Sequence, residues 1–108
     1  MPTATADPFG ALADPTRRSI LEALRDEPAM TAGRIASRFP RVSRAAVSKH
    51  LGVLRRADLV RAAERGRERH YTLRAERIAE VQDWLESFAP MMERSLTALK
   101  KRVEEEKA

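Results

Sequence analysis

Cysteine is absent from the 108 residues of this chain, which excludes disulfides, thiolate metal sites and cysteine nucleophiles. Histidine occurs twice, and neither residue stands in a metal-ligand spacing such as H-x-x-x-H. No apolar run approaches the roughly 20 residues of a membrane span. The N-terminus has neither the basic start nor the apolar core of an export signal. We therefore expect a cytoplasmic protein with no membrane partner, no metal and no other cofactor.

The residues that enzymes need are also missing from the sequence. It contains no glycine-rich phosphate loop, no metal cluster and no candidate pair of buried carboxylates. Ser48 and His50 do not form a nucleophile and its base, because residues two apart on a helix point to different faces. We expect no catalytic activity and no catalytic residue.

Positive charge is concentrated in the middle of the chain, whose net charge is +5 with a pI near 10.4. Residues 34–74 hold twelve Arg or Lys against three acids, whereas the rest of the chain holds nine bases and thirteen acids. A basic middle between acidic flanks is typical of a surface that binds a polyanion. An arginine-rich face that is merely solvated is the alternative.

The length suits a single domain with one core, which we expect to span residues 1–108, with residues 1–6 disordered. A short apolar stretch containing Phe9 and Leu12 predicts a first short helix. Asp14 and Pro15 are a strong start signal for the next helix, which should end before Pro28.

Two capping signals follow in quick succession. Thr31 and Ser43 can each cap a short helix, and each is bracketed by an apolar pair at the positions of a hydrophobic staple. The pairs are Met30 with Ile35 and Val42 with Val47. Pro40 closes the first of these helices, so the pattern indicates a helix-turn-helix motif.

The second of those helices has two contrasting faces. One is a narrow apolar stripe of Val47, Leu51 and Leu54. The other carries small and cationic residues, namely Ala45, Lys49, Gly52 and Arg56, flanked by Ser48 and Arg55. A helix in a DNA major groove needs small residues for close approach and cationic donors for bases and phosphates. An ordinary amphipathic helix is the alternative, although its exposed face would favour long helix formers.

The hydrophobic period changes from 3.6 to 2 in "LVRAAERGRERHYTL". Gly66 permits a tight turn between the two arms, so we expect a two-stranded hairpin with Arg65, Arg67 and Arg69 near its tip. These arginines could contact phosphates or enter a minor groove. Alternatively, their charge protects a solvated hairpin against edge-to-edge aggregation.

The C-terminal third is helical and carries a long apolar seam. Its members step by three and four residues: Ile78, Val81, Leu85, Phe88 and Met92, extended by Leu96, Leu99 and Val103. Pro90 should break the helix near Ala89. We expect the seam to pack against a second copy of the chain; packing on the chain's own core is the alternative.

Three segments resemble the arsenic-repressor (ArsR/SmtB-type) winged-helix transcription regulators: "ALADPTRRSILEAL", "SRAAVSKHLGVLRRADLV" and "RGRERHYTL". The resemblance covers roughly residues 9–88. It implies a mainly α fold with a small β-hairpin, comprising five to six helices and a two-stranded wing. It also implies a homodimer that binds a double-stranded operator near a promoter, usually as a repressor, with residues 75–108 serving as a dimerisation segment.

The resemblance places functional residues at specific positions. The recognition helix would present Ser43, Arg44, Ala45, Ser48 and Lys49 to the major groove, with Arg55 and Arg56 on the same basic helix. His50 is expected to border the core or to hydrogen-bond a DNA phosphate. The wing would contribute Arg65, Gly66, Arg67 and Arg69. The dimer interface would contain Phe9, Leu12, Val81, Trp84, Leu85, Phe88, Met92, Leu96 and Leu99.

This chain departs from the pattern of that family at three points. Arg44 stands where the family often has Gln, which would favour guanine through a bidentate contact. The turn before Ser43 is about one residue longer than usual. The known metal-sensing cysteines and histidines are missing, so the chain resembles the metal-independent branch that ends in a "W-L…F" helix; the identity of a small-molecule effector stays open.

Two further functions are possible alternatives. The C-terminal helix could serve a protein-interaction module with only non-specific nucleic-acid binding. RNA binding is disfavoured, because single-stranded RNA is usually read by aromatic stacking and the basic region has only Phe39 and Tyr71.

Overall fold

Side-chain caps begin four helices of the computed structural model, which describes residues 6–107. The helices are α1 (Pro8–Leu12), α2 (Pro15–Asp26), α3 (Ala32–Ser37), α4 (Arg44–Arg56), α5 (Ala75–Glu86) and α6 (Ala89–Lys107). The cap residues are Asp7, Asp14, Thr31 and Ser43, for α1 to α4 respectively. The predicted caps of α2, α3 and α4 are confirmed.

Ala6, the last residue of the segment expected to be disordered, forms two hydrogen bonds. Residues 1–5 lie outside the described part of the chain, but Ala6 is held in place. Its backbone N–H donates to the Arg56 carbonyl at 3.0 Å, and its own carbonyl accepts from the Arg77 guanidinium at 3.3 Å.

Three strands form one antiparallel sheet: β1 (Met30–Thr31), β2 (Val60–Arg65) and β3 (Glu68–Leu73), in the order β1-β3-β2. The predicted hairpin is present, since Val60 pairs with Leu73 and Arg65 with Glu68. The sheet also contains a third strand that the sequence did not indicate, since Met30 pairs with Tyr71 and Thr31 with His70. A two-residue strand is too short to show a period of two, and the staple and cap signals at the same residues concealed it.

The core lies between α2, α3, α4 and the sheet. The apolar stripe of α4 is buried, with Val47, Leu51 and Leu54 at most 1% exposed. The other large side chains that are fully buried in the core are Ile20, Leu24, Met30, Ile35, Leu59 and Val60. Both predicted staple pairs contribute to it, with Val42 half-buried against the cluster.

The end of α4 explains the abrupt change from helix to strand. Asp58 adopts a left-handed conformation with φ 58°, and its N–H donates to the Arg55 carbonyl at 3.0 Å. The Leu59 N–H donates to the Leu54 carbonyl at 3.0 Å, so the two bonds form a Schellman motif. Leu54 and Leu59 are both fully buried, which adds the hydrophobic contact that usually accompanies this motif.

The chain divides after Ile78 into two compact units. In the second, α5 ends at Glu86 and α6 begins at Ala89, so the predicted break near Pro90 is confirmed. The Trp84 and Phe88 rings meet edge to face across it, with centroids 4.8 Å apart. Neither α5 nor α6 has a buried residue. No helix among residues 6–107 is long and apolar enough to span a membrane.

Candidate nucleic-acid interface

The outward face of α4 is small and basic. Ser43 opens the helix by accepting a hydrogen bond from the Ala46 N–H at 3.1 Å. The predicted recognition residues on this helix that are exposed are Ser43, Arg44, Ala45, Ser48, Lys49, Arg55 and Arg56. Gly52 is half-buried, and a Cβ there would come within 3.3 Å of the Arg56 guanidinium, which therefore lies over the glycine.

His50 does not share this exposed face. Its side chain is 21% exposed, with Nδ1 3.5 Å from the Arg17 guanidinium and 4.0 Å from the Asp14 carboxylate. Three residues after Val47, a side chain lies about 60° from it around the helix, beside the apolar stripe. Of the two placements considered for His50, the structure favours the border of the core.

Arg17 ties that border to the first helix. Its guanidinium donates to the Ala11 carbonyl at 2.7 Å and to the Gly10 carbonyl at 3.2 Å. Its backbone N–H donates to the Asp14 carboxylate at 3.0 Å, and this bond is the main reason that the pKa of Asp14 lies below the usual aspartate value. The start of α2 thus contacts both α1 and α4.

The wing tip is a two-residue turn closed by the pair Arg65 and Glu68. Gly66 has φ 63° and the following Arg67 does not, which is the arrangement of a type II′ turn. The four predicted wing residues, Arg65, Gly66, Arg67 and Arg69, are exposed. Arg69 faces Glu64 across the hairpin at 3.9 Å.

A groove of about 280 Å³ joins the wing to the two helices of the helix-turn-helix. We call it the wing groove. Its lining includes Thr31, Gly33, Arg44, Arg67, Arg69 and Tyr71. Sequence reasoning missed Thr31, Gly33 and Tyr71 as parts of the site, because each has another evident role, in a cap, in a helix or in the core.

Most of the predicted dimer residues are exposed apolar side chains. The exposed members are Phe9, Trp84, Leu85, Phe88, Met92, Leu96 and Leu99, between 38% and 64% accessible. Leu12 and Val81 are half-buried, and Leu12 packs against the core of the first unit. Among residues 6–107 no group of three or more His, Asp or Glu side chains is placed to hold a metal ion.

Known proteins share both the sequence and the fold of this chain. A family described as a helix-turn-helix domain matches residues 12–62. The transcriptional repressor SdpR of Bacillus subtilis is 35% identical over 80 residues, covering 74% of this chain and 87% of that protein. The HTH-type transcriptional regulator Rv2034 of Mycobacterium tuberculosis is 44% identical over 78 residues, covering 72% and 71%.

Solved structures agree with these relatives. An ArsR-like transcriptional regulator from Rhodococcus sp. RHA1 is 36% identical, covers 86% of each chain and superposes with a TM-score of 0.67. Fold, exposed basic helix and relatives together define a winged helix-turn-helix DNA-binding transcription regulator, a class without enzymatic activity. The chain belongs to the ArsR family.

Proposed function

We propose that the chain is a homodimeric repressor that binds a specific duplex operator near its own promoter. The observation that carries the proposal is the outward face of α4. Ala45, Ser48 and Lys49 are exposed on it while Val47 and Leu51 are fully buried behind it. The helix is therefore anchored on one side, and the other side is slim enough to enter a major groove.

The residues of this face suit different parts of the duplex. Ser48 and Lys49 can reach base edges, where hydroxyl and ammonium donors meet the acceptors of the major groove. Arg55 and Arg56, in the last turn of α4, suit phosphates, which supply most of the affinity but little of the specificity. The wing arginines would extend the phosphate contacts or enter the neighbouring minor groove.

Dimerisation is supported by the apolar surface of the second unit. Leu85, Met92, Leu96 and Leu99 are each more than half exposed along one seam. Exposed apolar side chains in such number usually mark a protein interface, and a second copy would bury them in a two-fold arrangement. Two recognition helices would then read two half-sites, so the operator should be palindromic.

Repression is inferred from a relative whose name includes that activity, the transcriptional repressor SdpR. Bound near its own promoter, a dimer would obstruct transcription of its own gene. Action on the chromosome also places the protein in the cytoplasm. The exposed seam leaves one alternative, a protein-interaction module that binds nucleic acid only through general charge.

The first test measures binding of the purified protein to the duplex upstream of its own gene. Fluorescence anisotropy at two salt concentrations, with and without random duplex, separates specific from general attraction. We expect a complex of two protomers per site that survives the competitor. If an excess of random duplex abolished the binding, the protein-interaction module would be favoured instead.

A variant pair makes the test residue-specific. Lys49→Ala should lower operator affinity about tenfold, because a base or phosphate contact is lost, while the dimer persists in sedimentation. Lys101→Ala removes the same charge from exposed α6 and should leave operator affinity unchanged. The assigned role of Lys49 would be contradicted if the Lys49→Ala variant were monomeric. It would also be contradicted if both variants lost the same operator affinity.

A further inference from the structure

We propose that the wing groove holds a phosphodiester of the operator backbone, and that Arg44 binds this phosphate rather than reading guanine. The inference rests on the proposed DNA-binding function and goes beyond it. It assigns the groove a ligand and gives Arg44 a role other than the one its position in the recognition helix suggests.

The first support is where the Arg44 side chain goes. Gly33 has no side chain, and a Cβ built on it would lie 3.2 Å from Arg44 Nη2 and 3.7 Å from Cζ. The guanidinium therefore lies over the backbone of α3, inside the wing groove. It points sideways from the start of α4 toward the wing, not along the face that carries Ser48 and Lys49.

The second support is an excess of positive charge in the groove. Arg44, Arg67 and Arg69 all line it, and Glu68 is its one acidic lining residue. Among the described residues, the side chains of Arg44 and Arg67 form no ion pair or hydrogen bond, and that of Arg69 has Glu64 at 3.9 Å. A cation in the first turn of α4 is also disfavoured by the helix dipole. A monoanionic ligand would offset both the repulsion among these arginines and the unfavourable interaction of Arg44 with the helix dipole.

A second basic cleft on the other side of the wing gives the contrast. It is lined by Arg55, Arg61 and Arg74 together with Asp58. There Arg74 lies 3.6 Å from Asp58 and 3.2 Å from Glu76, and Arg61 lies 3.8 Å from Glu76. The protein itself pairs Arg61 and Arg74 with carboxylates there, whereas among the described residues Arg44 and Arg67 of the wing groove have no such partner.

The ligand is a DNA phosphate because of what surrounds the groove. The groove is open and bounded by the start of the recognition helix and by the wing, so a strand lying against both would cross it. Guanidinium groups bind phosphate oxygens bidentately. A phosphate contact fixes the register of α4 on the duplex without selecting a base.

The test compares Arg44→Ala with wild type on operator and random duplexes across a range of salt concentrations. We expect affinity for both duplexes to fall by a similar factor, about tenfold, with the salt slope reduced by about 1. The ranking of operators with single base-pair changes should not alter. Arg25→Ala, which removes an exposed charge paired with Asp26 on α2, is the matched control and should change nothing.

Gly33→Ala tests the groove without changing charge. Its added methyl group would lie 3.2 Å from the flexible end of Arg44 and 4.0 Å from Thr31 Oγ1, an ordinary contact, so the fold should persist while the guanidinium has to shift. We expect a several-fold loss on both duplexes. Gly10→Ala, where nothing lies within 4 Å, controls for the added methyl group.

The outcomes separate this inference from the proposed function. Suppose that Arg44→Ala loses discrimination at one base pair while its salt slope is unchanged. This result would overturn the phosphate role of Arg44 but would not contradict the proposed regulator function. Wild-type affinity in Gly33→Ala would overturn the placement of Arg44 in the groove. If the wild-type protein showed no preference for the operator, the proposed function would be wrong. The inference would then be tested by affinity for random duplex alone, and equal affinities of the Arg44 and Arg25 variants would overturn it.

Discussion

At the scale of single residues, short polar side chains decide where the helices begin. Asp7, Asp14, Thr31 and Ser43 each accept a backbone N–H from the first turn of a helix, at 3.0 to 3.1 Å. Helices as short as α1 and α3 are marginal alone, so these caps and the packing behind them hold the first turns in place. The recognition helix depends in this way on Ser43.

Ser43→Ala should lower the free energy of unfolding by about 1 kcal/mol, because the Ala46 N–H loses its acceptor. Urea denaturation followed by circular dichroism measures the change. Ser48→Ala, in the exposed middle of the same helix, should cost nothing, since alanine is the better helix former there. A loss of equal size in both variants would contradict the capping role.

The stability of the protein should also depend on Asp14 in acid. Its pKa is lowered in the folded chain, chiefly by the hydrogen bond from the Arg17 N–H. A carboxyl group with a lowered folded pKa stabilises the fold above its unfolded pKa of about 4, and this contribution disappears as the pH falls through that value and below.

Asp14→Asn provides the measurement, because asparagine caps nearly as well but does not titrate in this range. Wild type should be more stable than the variant in urea at neutral pH, and the difference should shrink as the pH falls below about 4. A difference that is constant with pH would show that the charge of Asp14 contributes nothing.

At the scale of elements, the wing depends on one backbone conformation. Gly66 has φ 63° at the first central position of the turn, where a β-carbon is strained. Gly66→Ala should therefore destabilise the protein by about 1 kcal/mol in thermal or urea unfolding. Gly66→Asn should cost less, because asparagine tolerates positive φ in such turns. The turn assignment would be wrong if both variants lost the same amount.

Sequence patterns predicted the elements whose signals are local. The caps at Thr31 and Ser43, the staple pairs and the break near Pro90 all depend on residues within a few positions of one another. β1 was missed because its partner Tyr71 is 41 residues away from Met30, and two residues show no period. The left-handed Asp58 was missed because glycine is the usual residue at that position of a Schellman motif.

The candidate site was predictable to a similar extent. Helical geometry alone separates the buried Val47, Leu51 and Leu54 from the exposed Ala45 and Lys49. The wing groove was not predictable, since it depends on where the wing lies relative to α3. The proximity of Gly33 to the Arg44 guanidinium belongs to tertiary structure, and no spacing in the sequence indicates it.

At the scale of the whole molecule, the described residues of the second unit, 79–107, include no buried one, although they carry many exposed apolar side chains. Leu99 is 57% exposed on α6. In the proposed dimer, Leu99→Glu would bury a carboxylate and should raise the dimer dissociation constant at least about 100-fold. Sedimentation equilibrium measures it.

Thr97→Glu adds the same charge to the same helix two positions away, outside the seam. It should sediment as wild type does. If Leu99→Glu also remained dimeric, the seam of α6 would not be the interface, and a partner of another kind would have to cover it.

The pairing of β1 with β3 has a consequence for how the protein would meet a duplex. β3 pairs with a strand on each side, and β1 ends at Thr31, which is also the cap of α3. The base of the wing, at His70 and Tyr71, is thus joined by backbone pairing to the residues that precede α3. In the proposed complex, a wing held in this way would lose little conformational entropy on binding a duplex, so less of the free energy of its contacts would be offset by ordering it.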